Sequence, residues 1–292
     1  MKIAIYGRTV LENKTACVQE LFTELQKHNL GIFVHSSLLE YISGTILFSR
    51  EVDVFHGHDD IRGKADFMIC LGGDGTMLDA LAFIRNSGIP VLGINTGRLG
   101  FLAGVAKDEV KEAVAALLNK NYSLDKRSLL KLTTRHDLFG PVNYALNELT
   151  VLKKDSSTMM TIHAYINGEF LNSYWADGLI ISTPTGSTAY SLSCGGPIMV
   201  PDSKSFIITP ISPHNLNVRP LIISDDSVLT LRVEGRSSEF LASLDSRTAV
   251  FPASEELTVT KEDFKFNLLK LKNTHFFNTI RNKLMWGLDK RN

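Results

Sequence analysis

The sequence predicts an α/β plus all-β fold, with an N-terminal Rossmann-like α/β domain at residues 1–125 and a C-terminal β-sandwich-like domain at residues 126–274. Apolar strand-like runs alternate with helical periods before residue 125, a pattern typical of βαβ units and a parallel sheet. After residue 125, short runs rich in β-branched and aromatic residues replace the helical period. The length of 292 residues also favours two domains of about 100 to 200 residues each.

The α/β domain is predicted as a series of strand and helix pairs. Its elements are a strand at 3–6, a helix around 18–25, a strand at 67–71, a helix at 77–85, a strand at 90–94 and a helix around 110–118. The last helix carries Asp108 and Glu109 near its start and Lys120 near its end, which suits the helix dipole. Helical spacing returns at 275–292, and we expect this terminal helix to pack back on the α/β domain.

The β-rich domain contains strand-like segments separated by turn residues. They lie at 129–134, 143–152, 160–166, 179–181, 206–209, 228–233 and 239–244. Asn167 and Gly168 separate two strand-like runs, and this dipeptide predicts a type I′ hairpin turn because both positions tolerate positive φ.

Composition excludes several classes of protein. Hydrophobic residues make up 44% and charged residues 21%, which is ordinary for a globular chain and rules out a disordered one. Lys+Arg and Asp+Glu both number 31, so no net charge attracts the chain to nucleic acid or to an anionic membrane. The three cysteines lie far apart, which argues against a disulfide framework or a thiolate zinc site. Because no signal-peptide core or membrane-length apolar run is evident, we expect a soluble cytoplasmic protein without membrane or nucleic-acid partners.

A glycine-rich loop, formed by Gly72, Gly73, Asp74, Gly75 and Thr76, lies between a predicted strand and a predicted helix. Its glycines let the backbone approach a ligand closely, and the helix start supplies free N–H groups for phosphate oxygens. Asp74 does not suit a pure phosphate cradle, because a carboxylate about 4 Å from a phosphate charge costs roughly 4 kcal/mol at an effective dielectric of about 20. We therefore expect Asp74 to take or orient a hydroxyl proton, or to hold a metal. The alternative is that Asp74 caps the following helix.

A hydroxyl-rich segment at 177–193 follows a similar logic. Asp177 precedes a strand that runs into closely spaced Ser and Thr residues, with Pro184 and Gly186 shaping the turn. Tyr190 offers a flat face for a base, and the neighbouring hydroxyls and amides can bind sugar or phosphate. The alternative is an ordinary Ser- and Thr-rich loop.

Two further segments carry polar groups. Asn147 and Glu148 lie in a strand-like run, either as partners for ribose hydroxyls or as the exposed edge of a strand. The proline-rich loop at 210–220 either presents His214 and Arg219 to a ligand or serves as a structural connection.

Two patterns resemble known sites but lack the required spacing. His-Gly-His-Asp-Asp at 56–60 resembles a hydrolytic metal cluster, yet no second His or Asp group stands at a suitable spacing, so a solvated loop is favoured. The glycines of 93–100 do not follow G-x-G-x-x-G, and G-x-x-x-x-G-K-[ST] does not occur. The sequence therefore disfavours hydride-transfer and P-loop sites.

Taken together, the three motif segments resemble the NAD kinase family. Its members carry G-G-D-G-T, an N-E pair and D-G-x-x-x-x-T-P-T-G-S-T-A-Y in this order, and the same motifs stand here at 72–76, 147–148 and 177–190. The segments at 90–102 and 210–214 extend the likeness, so it covers most of the chain.

The resemblance implies transfer of a phosphoryl group from ATP or polyphosphate to the adenosine ribose 2′-hydroxyl of NAD, giving NADP. Asp74 would be the proton acceptor, Asp177 would contact the nicotinamide end or its ribose, and 188–193 would line the adenosine pocket. Mg²⁺ or another divalent cation would bridge the donor phosphates without an assigned protein ligand, and the enzyme would be a homodimer or homotetramer. The implied nucleotide-binding residues are Gly72, Gly73, Gly75, Thr76, Asn147, Glu148, Trp175, Asp177, Thr185, Thr188, Ala189, Tyr190, Ser191, Leu192, Ser193, Ser212 and Arg247.

One departure from the family pattern concerns residues 245–247, where Asp-Ser-Arg replaces the D-G-Q of many members. The contact usually made by the glutamine is then lost, and Arg247 is a candidate phosphate contact in its place. Two alternatives to the kinase interpretation stay open at this point. A lipid kinase of the same superfamily would need an exposed apolar or basic membrane face, and none stands out. A nucleotide sensor without turnover would gain nothing from the carboxylate of Asp74.

Overall fold

The computed structural model describes residues 1–8, 15–97, 100–154, 159–271 and 275–286. The chain divides into two compact units, with Met1–Lys126 and Phe266–Asn292 in unit 1 and Arg127–Lys265 in unit 2. This differs from the predicted limit at residue 274, because the strand Phe266–Leu271 belongs to the sheet of unit 1.

The described strands and helices follow in chain order. The strands are β1 (Lys2–Gly7), β2 (Gly31–His35), β3 (Asp53–Phe55), β4 (Phe67–Leu71), β5 (Val91–Asn95), β6 (Val105–Ala106), β7 (Tyr122–Arg127), β8 (Leu130–Thr133), β9 (Tyr144–Ala145), β10 (Glu148–Lys153), β11 (Met160–Ile166), β12 (Glu169–Ala176), β13 (Gly178–Ser182), β14 (Ser205–Ile211), β15 (Leu221–Ser224), β16 (Leu229–Gly235), β17 (Glu239–Leu244), β18 (Arg247–Pro252), β19 (Leu257–Lys261) and β20 (Phe266–Leu271). The helices are α1 (Thr15–Lys27), α2 (Ser36–Ile42), α3 (His58–Ile61), α4 (Asp74–Ile84), α5 (Val110–Leu118), α6 (Tyr190–Ser193) and α7 (Phe276–Leu284).

Unit 1 is built on a mostly parallel sheet in the order β3-β2-β1-β4-β5-β20-β7, with β6 beside β5. The first five strands in this order pair in parallel. The chain leaves β1 towards β2 and β3, then returns to the other side of β1 at β4. In sheets of this kind, ligands bind outside the carboxyl ends of the strands where the strand order reverses. The carboxyl ends of β1 and β4 therefore mark the expected ligand position in unit 1.

Helix α1 of unit 1 buries an apolar stripe at the predicted spacing. On α1 the buried positions include Val18, Leu21, Phe22 and Leu25. The terminal helix α7 spans Phe276–Leu284, shorter than the predicted 275–292, of which residues 287–292 lie outside the described residues. Its Ile280 is buried, and the ammonium of Lys283 lies 4.7 Å from the ring centroid of Phe101. Within the described residues, no helix has the length and apolar character needed to cross a membrane.

Unit 2 consists of two six-stranded sheets with antiparallel strand pairs. Their orders are β15-β14-β13-β10-β17-β18 and β12-β11-β16-β19-β8-β9. Apolar side chains from both sheets form one core, with Ile162 and Val259 from one sheet and Leu179, Phe206 and Phe240 from the other. This packing confirms the predicted sandwich-like architecture.

The hairpin between β11 and β12 confirms the turn prediction. Asn167 has φ of +53° and Gly168 has φ of +84°, as a type I′ turn requires.

Candidate active site

The glycine-rich loop of unit 1 connects the buried strand β4 to α4. A Cβ at Gly72 would overlap the Thr76 hydroxyl oxygen and lie 2.8 Å from Thr76 Cβ, so Gly72 and the buried Thr76 shape the loop by packing together. A Cβ at Gly73 would meet nothing within 4 Å. Among the described residues, no backbone bond engages the N–H groups of Gly73, Asp74 or Gly75. These three donors stand at the positive end of α4, which is suited to an anion.

Asp74 is the first residue of α4, whose N-cap is Gly73, so the alternative that Asp74 caps the helix is wrong. Its carboxylate instead accepts three backbone N–H bonds, from Phe101 to Oδ2 at 2.7 Å and from Leu102 and Ala103 to Oδ1 at 3.0 and 3.1 Å. Two carboxylate oxygens offer about four acceptor positions, so these three bonds fix the side chain and leave one acceptor position unused. Oδ2, with one N–H donor, keeps a position for a hydroxyl.

The segment that holds Asp74 begins at the end of β5. Asn95 Oδ1 accepts the N–H of Gly97 at 2.7 Å and shapes the first turn. At Gly100 a Cβ would overlap Asp74 Oδ1 and lie 2.5 Å from Cγ, so a side chain there is incompatible with the observed position of the carboxylate. The glycines of 93–100 match no dinucleotide motif, but one of them, Gly100, leaves the space in which Asp74 accepts the backbone N–H groups of 101–103.

The His-Gly-His-Asp-Asp segment is a capped turn of helix, so the prediction of a solvated loop is wrong. His58 is buried, and its Nδ1 lies 2.8 Å from the carbonyl oxygen of Phe83. Asp60 Oδ2 accepts the backbone N–H groups of His56 and Gly57 at 2.8 and 3.1 Å. No group of three or more His, Cys, Asp and Glu suited to a metal occurs in the part of the chain that the structure describes.

In unit 2, the Asn147–Glu148 pair lies where β10 begins, and Asp245 fixes its backbone. The Asp245 carboxylate accepts the N–H groups of Leu146, Asn147 and Glu148 at 2.9, 2.8 and 3.2 Å. The hydroxyl-rich segment meets the same point, since Asn147 O accepts the N–H of Thr183 at 2.9 Å. The structure therefore brings the N-E motif, residue 245 and the start of the hydroxyl-rich segment together.

Glu148 is buried, with 8% of its surface exposed, so the alternative of an exposed strand edge is wrong. Its Oε2 has no hydrogen-bond partner among the described residues. Burial, with the nearby charge of Asp245, raises the pKa of Glu148 to about 8. A buried oxygen without a partner is costly, and a ligand hydroxyl or amide would relieve that cost.

Replacement of Glu148 by glutamine is expected to stabilise the protein increasingly as pH rises. The folded protein holds the Glu148 proton up to about pH 8, whereas the unfolded chain loses it near the ordinary pKa of 4.5. Between these values the folded state binds more protons, so the free energy of unfolding of the wild type falls with increasing pH. Glutamine keeps the shape and does not titrate. Thermal unfolding should show an advantage of Glu148→Gln that grows from roughly pH 5 to pH 8 and then levels off.

The exposed Glu169 provides the control for this comparison, because Glu169→Gln should leave the pH dependence of the melting temperature unchanged. A stability difference between Glu148→Gln and the wild type that does not vary with pH would contradict the raised pKa of Glu148.

Arg247 takes a different position from the predicted phosphate contact. Its guanidinium donates to the backbone carbonyl oxygens of Val142 and Tyr144, the second at 2.5 Å. Burial raises the pKa of the Asp245 carboxyl, and the positive charge of Arg247 partly offsets this increase. Arg247 thus ties the start of β18 to the segment before Asn147.

Most hydroxyls of the 182–193 segment have partners inside unit 2. Thr185 Oγ1 accepts from Arg127 Nη1 at 3.1 Å, and the buried Ser191 and Thr209 hydroxyls lie 2.9 Å apart. Thr188 Oγ1 donates to Thr185 O at 3.3 Å. These hydroxyls stabilise the segment. Among the predicted binding residues in it, Tyr190 and Ser193 are exposed, whereas Thr188, Ala189 and Leu192 are half-buried.

A second group of predicted residues surrounds Asp177. The Asp177 carboxylate forms an ion pair with Lys153 Nζ at 2.5 Å. The pKa of Tyr190 is raised first by burial, then by Cys194, and also by the negative charge of Asp177. The Trp175 ring, which is 48% exposed, lies 4.8 Å from the His214 ring between centroids. Exposed aromatic faces beside a carboxylate can stack a base and bind ribose hydroxyls. The exposed Ser212, with φ of +46°, lies two residues before His214.

Comparison with known proteins agrees with these motifs. Residues 14–122 match the ATP-NAD kinase N-terminal domain, and residues 146–271 match the ATP-NAD kinase C-terminal domain. An NAD kinase of Cytophaga hutchinsonii is 49% identical over 100% of both chains. The chain belongs to the NAD kinase family. Other family members include NAD kinases of Flavobacterium johnsoniae and Bacteroides fragilis, which are 46% and 44% identical over the whole of each chain.

Two solved structures share the fold of this family member. The yeast NADH kinase complexed with NADH aligns with a TM-score of 0.88 and 24% identity over 99% of this chain and 88% of that one. The NAD kinase from Archaeoglobus fulgidus in complex with ATP aligns with a TM-score of 0.75 and 24% identity over 98% and 99% of the two chains.

Sequence reasoning missed two contributors to the candidate residues of this NAD kinase family member. The backbone donors of 101–103 leave no side-chain signature. Lys153 resembles any lysine near a strand end. The sequence did contain a signal for the backbone donors of 101–103, because no dinucleotide motif explains the adjacent Gly100.

Proposed function

We propose that this NAD kinase family protein transfers the terminal phosphoryl group of ATP to the adenosine ribose 2′-hydroxyl of NAD, giving NADP and ADP. The observation that carries the proposal is the Asp74 carboxylate, fixed by three N–H bonds beside backbone donors suited to phosphate. A sensor that only binds nucleotides would not need a carboxylate next to phosphate charge.

In unit 1, the N–H groups of Gly73, Asp74 and Gly75 bind phosphate oxygens of the donor. Oδ2 of Asp74 accepts the proton of the acceptor hydroxyl, whose oxygen forms the new bond to phosphorus. The bond between the terminal phosphorus and the bridging oxygen of ATP breaks, and ADP leaves. Asp74 then releases its proton to solvent. In phosphoryl transfer generally, the positioning of the reactants and the stabilisation of charge supply most of the catalysis, and these are the roles assigned here to the loop N–H groups and to Asp74.

In unit 2, we assign two groups of residues to the acceptor nucleotide. Asn147 and Glu148 present a fixed backbone and an unsatisfied buried oxygen to ribose hydroxyls. Trp175 and Tyr190 offer exposed ring faces near the carboxylate of Asp177. Such rings and carboxylates are suitable contacts for the base and ribose groups of a dinucleotide.

Mg²⁺, or another divalent cation, would neutralise charge on the donor phosphates when bound. Mg²⁺ usually binds through one or two carboxylates together with substrate phosphates and water. The described residues contain no cluster of three metal-ligating side chains. We assign no protein ligand to the ion. Polyphosphate, a chain of the same anhydride bonds, is the alternative donor.

We also propose that the protein acts as a homodimer or homotetramer in the cytoplasm. The edge strand β15 exposes Leu221 and Ile222, and an apolar sheet edge is commonly covered by another chain.

The function is tested by incubating the purified protein with ATP and Mg²⁺ and either NAD or diacylglycerol. We expect NADP from the first mixture and no phospholipid from the second. Parallel reactions with polyphosphate in place of ATP identify the donor. Absence of NADP with both donors, or faster phosphorylation of the lipid, would contradict the proposal.

A further inference from the structure

Arg8 lies directly after β1, at the position where the strand order of unit 1 reverses. The last residue of β1, Gly7, pairs with Leu71, the last residue of β4. Arg8 and the glycine loop therefore follow the carboxyl ends of adjacent parallel strands. This is where open α/β sheets place their ligands.

The guanidinium of Arg8 is held from one side by Asp79 on α4. Nη2 donates to Asp79 Oδ1 at 2.6 Å and Nε donates to Oδ2, which makes a two-pronged ion pair. The Tyr6 hydroxyl also donates to Oδ2, at 3.0 Å. A guanidinium clamped through Nε and Nη2 has a fixed plane, because the fork of donors is rigid.

The remaining nitrogen of this guanidinium, Nη1, faces the glycine loop. A Cβ built at Gly75 would lie 3.6 Å from Nη1, and no other atom would come within 4 Å of it. The side chain of Arg8 is 51% exposed while that of Asp79 is 19% exposed. The Arg8–Asp79 pair is thus a dipole with its positive end outward, next to Gly75 of the glycine loop.

The negative charge of a bound donor would make a cation beside the glycine loop favourable. A donor triphosphate brings several negative charges close to Asp74, and each such pair of like charges is repulsive. Neutral N–H groups offset only part of that repulsion. A guanidinium of fixed orientation binds phosphate oxygens with charge-assisted hydrogen bonds.

We propose that Arg8 binds the terminal phosphates of the donor through Nη1, and that Asp79 and Tyr6 position it for this contact. The proposal rests on the proposed function, since it assigns the donor phosphates to the loop of that reaction. Arg8 contacts the donor and makes no contact with NAD, so it sets donor affinity and leaves acceptor affinity unchanged.

Steady-state kinetics of Arg8→Ala tests this separation. We expect the KM for ATP to rise by about tenfold or more, as expected for a lost charge-assisted bond, and the KM for NAD to stay within about twofold. Arg8→Lys keeps the charge but not the fork, so its KM for ATP should lie between those of the wild type and Arg8→Ala. Arg62→Ala, which removes an exposed arginine elsewhere in unit 1, should change neither constant.

Calorimetry with inorganic tripolyphosphate provides a measurement that does not depend on turnover. Binding should weaken by about tenfold in Arg8→Ala and stay unchanged in Arg62→Ala. A wild type that makes no NADP but shows this difference would contradict the proposed function and support the Arg8 contact. Equal tripolyphosphate affinity in Arg8→Ala and Arg62→Ala, or a KM for NAD that rises as much as that for ATP, would overturn the Arg8 proposal. If melting curves show that Arg8→Ala does not fold, Arg8→Lys decides by the same criteria.

Discussion

Replacement of Asp74 by asparagine is expected to lower kcat by about 10² to 10⁴, the usual contribution of a positioned general base. The amide cannot accept the hydroxyl proton, while the N–H groups proposed to bind phosphate belong to the backbone and remain. The KM values for ATP and NAD should therefore change by less than about tenfold. Initial rates of NADP formation at saturating ATP and NAD measure the effect.

The three N–H bonds to Asp74 require a structural check in this experiment. Asparagine has one acceptor oxygen, so its amide group would face the N–H of either Phe101 or the pair at Leu102 and Ala103. The lost bond should lower the free energy of unfolding by about 1 to 3 kcal/mol. Asp59→Asn, an exposed substitution in the same unit, is the control for assay and stability. Near-normal turnover in folded Asp74→Asn would remove Asp74 from the chemical step.

The fold class could be predicted because the N-terminal part alternates strand-like apolar runs with helical periods, whereas the later part repeats short strand-like runs. Strands β11 and β17 lie at the predicted limits of 160–166 and 239–244, where alternation on a half-buried surface gives a clear signal. The short strands β2 and β3 were not predicted, because a strand of three to five residues is too short to show a clear hydrophobic period. The segment that forms β20 was not predicted as a strand and fell inside the predicted β-rich domain at 126–274, whereas it belongs to unit 1. Its membership depends on pairing with β5, which is distant in sequence, and local pattern contains no such information.

The candidate site was predictable in its motifs and less so in its contacts. Gly72 to Thr76 could be recognised because three glycines in four positions, between a strand and a helix, allow the close approach of a ligand to the backbone. The hydroxyls of Thr185 and Ser191 could not be classified, since a buried hydroxyl with an internal partner and an exposed one have the same sequence. The burial of Glu148 was also hidden, because it depends on the strands on either side of β10, namely β13 and β17.

Replacement of Gly100 by alanine should lower kcat by about 10² without removing any group proposed to contact substrate. A Cβ at Gly100 would overlap Asp74 Oδ1 and lie 2.5 Å from Cγ and 2.9 Å from Oδ2, so either the carboxylate or the backbone of 100–103 must move. A displacement of about 1 Å in a reacting group can cost about 10²-fold in rate. The KM values for ATP and NAD should change little, because the loop N–H groups and the residues assigned to NAD are untouched.

Gly104→Ala is a matched control, since a Cβ at this exposed glycine would meet nothing within 4 Å and the same glycine-to-alanine change occurs four residues away. Gly104→Ala should retain the wild-type kcat. The double variant Gly100→Ala and Asp74→Asn separates displacement of Asp74 from general disruption of the loop. If Gly100 acts only through Asp74, the double variant should be no slower than Asp74→Asn alone, because the two effects are then not additive. Multiplication of the two losses would instead show that Gly100 serves the reaction by a route that does not involve Asp74.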